Sequence, residues 1–242
     1  AGRTGIAFED KNYEQGISLI YDMGGSVNVN YDSAGGNAPK GSETIKKQKN
    51  FINNNPVKDG YNFYGWVLDD YTLNFSSFNA ALSLKATYSI INYTINYELN
   101  GGVLSNKIST YNINSEPIHI SNPEKNGYTF IGWTGTGLDN YTFDLVIPKG
   151  SFGNKNYVAN FKPNNYSIIY DYGYDNKTET QSVDYDENYS LKVPQRDGYV
   201  FNGWLNNGQF LSDGKYNLTN NLNLTASWSI INYKILMKSI KK

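Results

Sequence analysis

Pro123-Glu124-Lys125-Asn126-Gly127-Tyr128-Thr129-Phe130-Ile131-Gly132-Trp133 decides how this chain is organised, because the phrase returns twice at identical internal spacing. One copy runs from Pro56 through Gly60, Tyr61, Phe63 and Gly65 to Trp66. The other runs from Pro194 through Gly198, Tyr199, Phe201 and Gly203 to Trp204. Between Pro and the first Gly each copy carries Lys or Arg followed by Asp or Asn. The copies lie about seventy residues apart, longer than the roughly 20–50 residues of stacked solenoid repeats, so each unit is large enough to hold its own core.

Two further signals keep step with the phrase. Ahead of it comes an alternating segment ending in small turn residues: Val27 to Gly36, Tyr93 to Gly102, and Tyr166 to Gly173. Behind it comes a short segment with a central alanine: Leu84 to Tyr88, Tyr157 to Phe161, and Leu224 to Trp228. Period-two alternation is the mark of a half-buried strand. The predicted organisation is therefore a tail of a preceding module or leader at 1–26, modules at 27–91, 92–163 and 164–231, and the start of a further, truncated module at 232–242. The chain reads as a piece of a longer polypeptide.

The joints are short. Ser89-Ile90-Ile91-Asn92-Tyr93 recurs as Ser229 to Tyr233, with no Gly/Ser or Pro-rich linker between units. An elongated, fairly stiff rod is the expectation.

Composition fits small β modules. Tyr 22, Phe 11 and Trp 4 make 15% of the residues, while only 18% are charged. A seventy-residue domain without disulfide or metal needs large side chains to build a core. Within the phrase, Asp-Gly or Asn-Gly before an aromatic run signals a tight turn with Gly at positive φ. Pro four residues earlier keeps the approach out of helix. Tyr and Phe then share the predicted core face. Strict alternation puts Trp66, Trp133 and Trp204 on the other face, and the Gly before each suggests a bulge that turns the indole inward. The rival reading is an exposed Trp acting as a platform for carbohydrate or a protein partner.

The start Tyr93-Thr-Ile95-Asn-Tyr97-Glu-Leu-Asn-Gly101-Gly102, the Pro-to-Trp phrase and the closing alanine strand together resemble the Listeria–Bacteroides repeat, also called the InlB B-repeat. The resemblance covers roughly residues 27 to 236 in three copies. It implies a β-grasp-like, SUMO-like module with a short helical segment, used in long bacterial surface and secreted proteins as a stalk or interaction element. The fold class expected is thus mostly β, α+β at the margin. The departures lie in loops: the third copy has Tyr172-Gly173-Tyr174 where the second has Asn100-Gly101-Gly102, and the first copy has Ser33-Ala34-Gly35-Gly36 and a charged insertion around Lys46 to Lys49.

Chemistry has little to draw on. The chain has no cysteine and one histidine, His119, in a strand-like stretch with no counterpart in the other copies. Asp69-Asp70, Asp184-Tyr185-Asp186-Glu187 and Asp171 to Asn176 match no recognised calcium loop. No cofactor, metal site or catalytic residue is predicted. A net charge of −1 gives no reason to expect nucleic acid, and no stretch is long and apolar enough for a membrane span. The N-x-S/T sequons at Asn74, Asn92, Asn140, Asn176, Asn188 and Asn223 are what an Asn-rich chain yields by chance. The residues singled out are structural: Pro56, Gly60, Tyr61, Phe63, Gly65, Trp66, Pro123, Gly127, Tyr128, Phe130, Gly132, Trp133, Pro194, Gly198, Tyr199, Phe201, Gly203 and Trp204. The functional expectation is a non-enzymatic stalk at the cell surface or outside the cell, whose partners are neighbouring modules. The alternative is an adhesion module that binds host protein or glycan through Thr134 to Asp139 or Asn202 to Gln209.

Overall fold

A computed structural model describes residues 24–46 and 55–233. The first repeat contributes β1 (Ser26–Asp32), β2 (Ser42–Ile45), β3 (Tyr61–Asn74) and β4 (Asn79–Ile90). They form one sheet in the order β2-β1-β4-β3. In β1, Val27, Val29 and Tyr31 are buried while Asn28, Asn30 and Asp32 are exposed, so the alternation in sequence becomes two faces of the sheet. β1 and β4 run parallel with Val29 opposite Leu82 and Tyr31 opposite Leu84. The core collects Val27, Val29, Tyr31, Ala80, Leu82 and Leu84. Each fully buried aliphatic chain of this kind contributes about 1.5–3 kcal/mol.

The second repeat supplies β5 (Tyr93–Glu98), β6 (Thr110–Tyr111), β7 (Ile118–Ile120), β8 (Tyr128–Gly135), β9 (Leu138–Thr142), β10 (Leu145–Ile147) and β11 (Lys155–Pro163). The third supplies β12 (Asn165–Asp171), β13 (Thr178–Asp184), β14 (Asn188–Tyr189), β15 (Tyr199–Asn206), β16 (Gln209–Leu211), β17 (Gly214–Lys215) and β18 (Leu222–Ile230). Their main sheets are β6-β5-β11-β8-β9 and β13-β12-β18-β15-β16, and the small pairs β7-β10 and β14-β17 complete them. The order matches the first sheet, with one added edge strand in each. In the third repeat β12 and β18 are again parallel, and Ile168, Tyr170, Tyr172, Val183, Trp204, Tyr216, Leu222, Leu224 and Ala226 form the core.

The described residues are all β or irregular and contain no helix, so the short helical segment implied by the family resemblance is not among them. A crossover between parallel strands is commonly helical. Here the excursion carries hairpins and two-residue pairings instead.

Contacts divide the chain into two compact units. One comprises Ala1–Asn96, Ile108–Ile120 and Val146–Asn156; the other comprises Tyr97–Lys107, Ser121–Leu145 and Tyr157–Lys242. The first holds β1 to β4 with β6 and β7 of the second repeat, and the second holds β8, β9 and all of the third repeat. The division falls inside the second repeat, not at either joint, so each unit contains one joint whole.

Candidate functional site: the glycine–tyrosine turn

The recurring phrase builds the same local structure three times. The Tyr61, Tyr128 and Tyr199 amides donate to the carbonyls of Lys58, Lys125 and Arg196, each at 3.1 Å. Gly60, Gly127 and Gly198 sit third in these turns at φ +80°, +76° and +80°, where a side chain is strained. Pro56 and Pro123 are buried at the approach, and Pro194 is half-buried.

Past the turn the strand bulges. Pairing slips between Phe63 and Gly65, between Phe201 and Gly203, and opposite Asn160 and Phe161 where Gly132 and Phe130 face them. Gly132 and Gly203 take φ +126° and +139°, which only glycine adopts readily. The extra residue turns the following indole inward. Trp133 and Trp204 are buried, and Trp66 is half-buried beside Gly65, which has no positive φ. Trp204 Nε1 donates to the Lys192 carbonyl at 2.6 Å. Trp133 Nε1 is buried with no hydrogen-bond partner among the described residues.

Each Phe packs edge-on against the indole and against the closing strand. Phe63 meets Trp66 and Tyr88, Phe130 meets Trp133 and Phe161, and Phe201 meets Trp204 and Trp228, with centroids 5.3–6.0 Å apart. The tyrosines of the phrase are half-buried, share a face with the phenylalanines, as Tyr61 and Phe63 do against Tyr88, and lie at the joint.

The cation of the phrase has a role that sequence reading missed. Lys58 Nζ lies over Tyr61 and Tyr88, Lys125 Nζ over Tyr128 and Phe161, and the Arg196 guanidinium over Tyr199 and Trp228. Lys58 and Lys125 thread between those rings to donate to the carbonyls of Ala34 and Asn100, each at 2.9 Å. Ala34 and Asn100 hold positive φ, so the lysine staples a strained loop to the turn. The signal was present in sequence as the invariable Lys or Arg two residues before Gly.

The turn is also the joint. The carbonyls of Gly60, Gly127 and Gly198 accept from the amides of Ile91, Asn164 and Ile231 at 3.0, 2.9 and 2.9 Å, which fixes where the next segment departs. A loop of the following repeat then seats on the bare glycine. A Cβ on Gly60 would stand 2.7 Å from Cβ of Ile113, and one on Gly127 would overlap the Tyr185 ring. Tyr61 donates to Asn114 at 3.3 Å, and Tyr128 to Asp186 at 2.8 Å. Tyr128 and Tyr185 meet edge to face at 5.5 Å. The Tyr128 hydrogen bond, with Lys215, holds the Asp186 carboxyl below its usual range.

The acidic stretches have structural duties. Glu187 accepts from the Asp184 amide, and Asp186 serves the joint. Asp69 and Asp70 are exposed on β3, and His119 is exposed on β7. Among the described residues no group of three or more His, Cys, Asp or Glu is placed to hold a metal ion. Thr134 to Asp139 and Asn202 to Gln209 lie in the β8–β9 and β15–β16 hairpins.

A repeated all-β module joined through its own recurring motif defines a tandem repeat array. The family model for the Listeria-Bacteroides repeat domain matches residues 28–87, 93–152 and 166–228, and the chain belongs to that family. A protein of Evansella cellulosilytica described as a membrane protein is 28% identical over 74% of this chain and 29% of its own length. A second from that organism, described as a Gly-rich membrane protein, is 25% identical over 76% of this chain and 22% of itself. Internalin H of Listeria monocytogenes is 28% identical over 45% of this chain and 20% of itself. The chain thus spans under a third of the length of these relatives.

Proposed function

We propose that this region is a non-catalytic spacer in a bacterial surface or secreted protein, acting by holding other domains at a distance. One observation carries the reading: the Lys or Arg, Gly and Tyr recur in every copy as the same turn, and in two copies a loop of the next repeat seats on its glycine. We also infer that each repeat is β-grasp-like without its helix, on the strength of the 2-1-4-3 strand order and its parallel central pair. Similarity to membrane proteins and to an internalin supports placement at the cell surface. Small-angle scattering of the chain tests the spacer: an elongated profile is expected, and a compact one overturns it.

A second reading, adhesion to host protein or glycan, is favoured by aromatics exposed on or beside the outer hairpins. Tyr141, Phe143 and Phe210 are 58%, 52% and 63% exposed. Glycan arrays and pull-downs with the chain test it, and blank results on both remove it.

A further inference from the structure

In each main sheet the strand by which the chain enters a repeat lies beside the strand by which it leaves. β1 neighbours β4, β12 neighbours β18, and both pairs are parallel. β5 and β11 are neighbours too. There the Thr94 amide donates to the Asn154 side chain and the Asn96 side chain to that of Asn156, a constant offset that a parallel pair keeps and an antiparallel pair does not. Tension along the chain therefore pulls the two strands of a pair from opposite ends. The strands must slide past each other, and because ladder bonds run across the strands, all of them are strained together. Pulled from the same end, such a pair opens one bond at a time.

The packing opposes sliding as well. Ser26 to Asp32 pair with Asn79 to Lys85 along the whole of β1, and Ile168 to Asp171 pair with Leu222 to Thr225. Ile168, Tyr170, Leu222 and Leu224 are buried on one side of the second seam, as Val27, Val29, Tyr31, Ala80, Leu82 and Leu84 are on the first. A slip of one residue would turn a buried set to the opposite face of its sheet. At the entry end of the third repeat the Asn221 side chain accepts from the Ser167 amide at 3.0 Å, one position before the paired residues begin. Asn154 extends the seam of the second repeat in the same way, accepting from Thr94 at 3.0 Å.

We propose that each repeat is a mechanical clamp, whose parallel entry and exit strands transmit tension along the chain without unfolding. The inference rests on the spacer reading, since a spacer that is pulled has to keep its length. Forced unfolding is governed by the barrier along the direction of pull and not by overall stability. A seventy-residue module with a modest core can thus hold under tension while remaining only marginally stable to heat.

The chain has no cysteine, so thiol handles can be placed in chosen pairs on the full chain for single-molecule force measurements. Lys162, Thr219 and Asn232 are exposed. Lys162→Cys with Asn232→Cys pulls β12 and β18 from opposite ends, and Lys162→Cys with Thr219→Cys pulls them from the same end. At one loading rate the first pair is expected to break at a force at least about twofold above the second. The two variants are expected to melt alike, so that the ratio reports direction and not stability. Equal forces, or a higher force for the second pair, overturn the proposal. Asn221→Ala in the first pair is expected to lower its breaking force, and an unchanged force overturns the part given to Asn221. A compact scattering profile removes the spacer and equal forces remove the clamp, so the two readings fail separately.

Discussion

Replacing Trp133 and Trp204 in turn by Phe tests the account of the bulge and its indole, because the two sites differ in one respect. Both side chains are essentially inaccessible, at 0% and 1% exposure, and both follow a positive-φ glycine. Loss of the second ring therefore removes similar apolar area at each, at a shared cost of roughly 1–2 kcal/mol. Trp204→Phe also breaks the 2.6 Å bond to the Lys192 carbonyl, worth about 0.5–1.5 kcal/mol. Trp133→Phe removes a buried N–H that has no acceptor among the described residues, and relief of that desolvation returns about 1–3 kcal/mol. The expected result is that Trp204→Phe is the more destabilising by about 2–3 kcal/mol, with Trp133→Phe close to neutral. Urea titration followed by the remaining indoles measures both. A Trp133→Phe cost equal to or above that of Trp204→Phe refutes the reasoning.

Gly65→Ala is expected to be neutral or to stabilise by about 0.4–1 kcal/mol, since nothing stands within 4 Å and φ is ordinary. Gly203→Ala, at φ +139° and 2.9 Å from Phe210, should lose stability in the same denaturation assay. Lys125→Met keeps the stem between Tyr128 and Phe161 but deletes the bond to Asn100, at a cost of about 1–2 kcal/mol that thermal melts will register. Burial pushes Tyr97 and Tyr172 up to about 12 from an unfolded value of 10.0. The fold thus favours their neutral phenols, and this stability is complete below pH 10 and declines as pH rises towards 12. Phenolate absorbance and circular dichroism recorded together should show these two ionising late, as structure is lost.

What the sequence made legible is local. Alternation at Val27, Val29 and Tyr31 marks β1, the Asp-Gly and Asn-Gly pairs mark the turns, and Gly before Trp marks a bulge, since each signal lies within a few residues of its effect. The parallel pairing of β1 with β4 was not legible, because partners some fifty residues apart leave no local period. The joint was hidden for a different reason. Its recurring half, Gly60 or Gly127, reads as a turn residue in its own right, while its other half is Ile113 in one case and Tyr185 in the next. A position filled by two dissimilar side chains carries no motif. The cation was visible as Lys58, Lys125 and Arg196, but its target is a carbonyl, which no sequence spells.

Among the described residues β3 closes the first sheet, whereas the corresponding strands β8 and β15 are each covered by a further strand. Its fourteen residues thus present backbone donors and acceptors along the outer side, the arrangement by which one chain recruits another. At its middle the register slips between Leu68 and Asp70, and Asp69 and Asp70 stand exposed there. A kink bearing two adjacent negative charges keeps a second copy from zipping along that side. The exposed acidic pair, which matches no calcium loop in sequence, thereby opposes edge-to-edge pairing. Where identical chains crowd together, such a charged bulge works against their fusing into one continuous sheet.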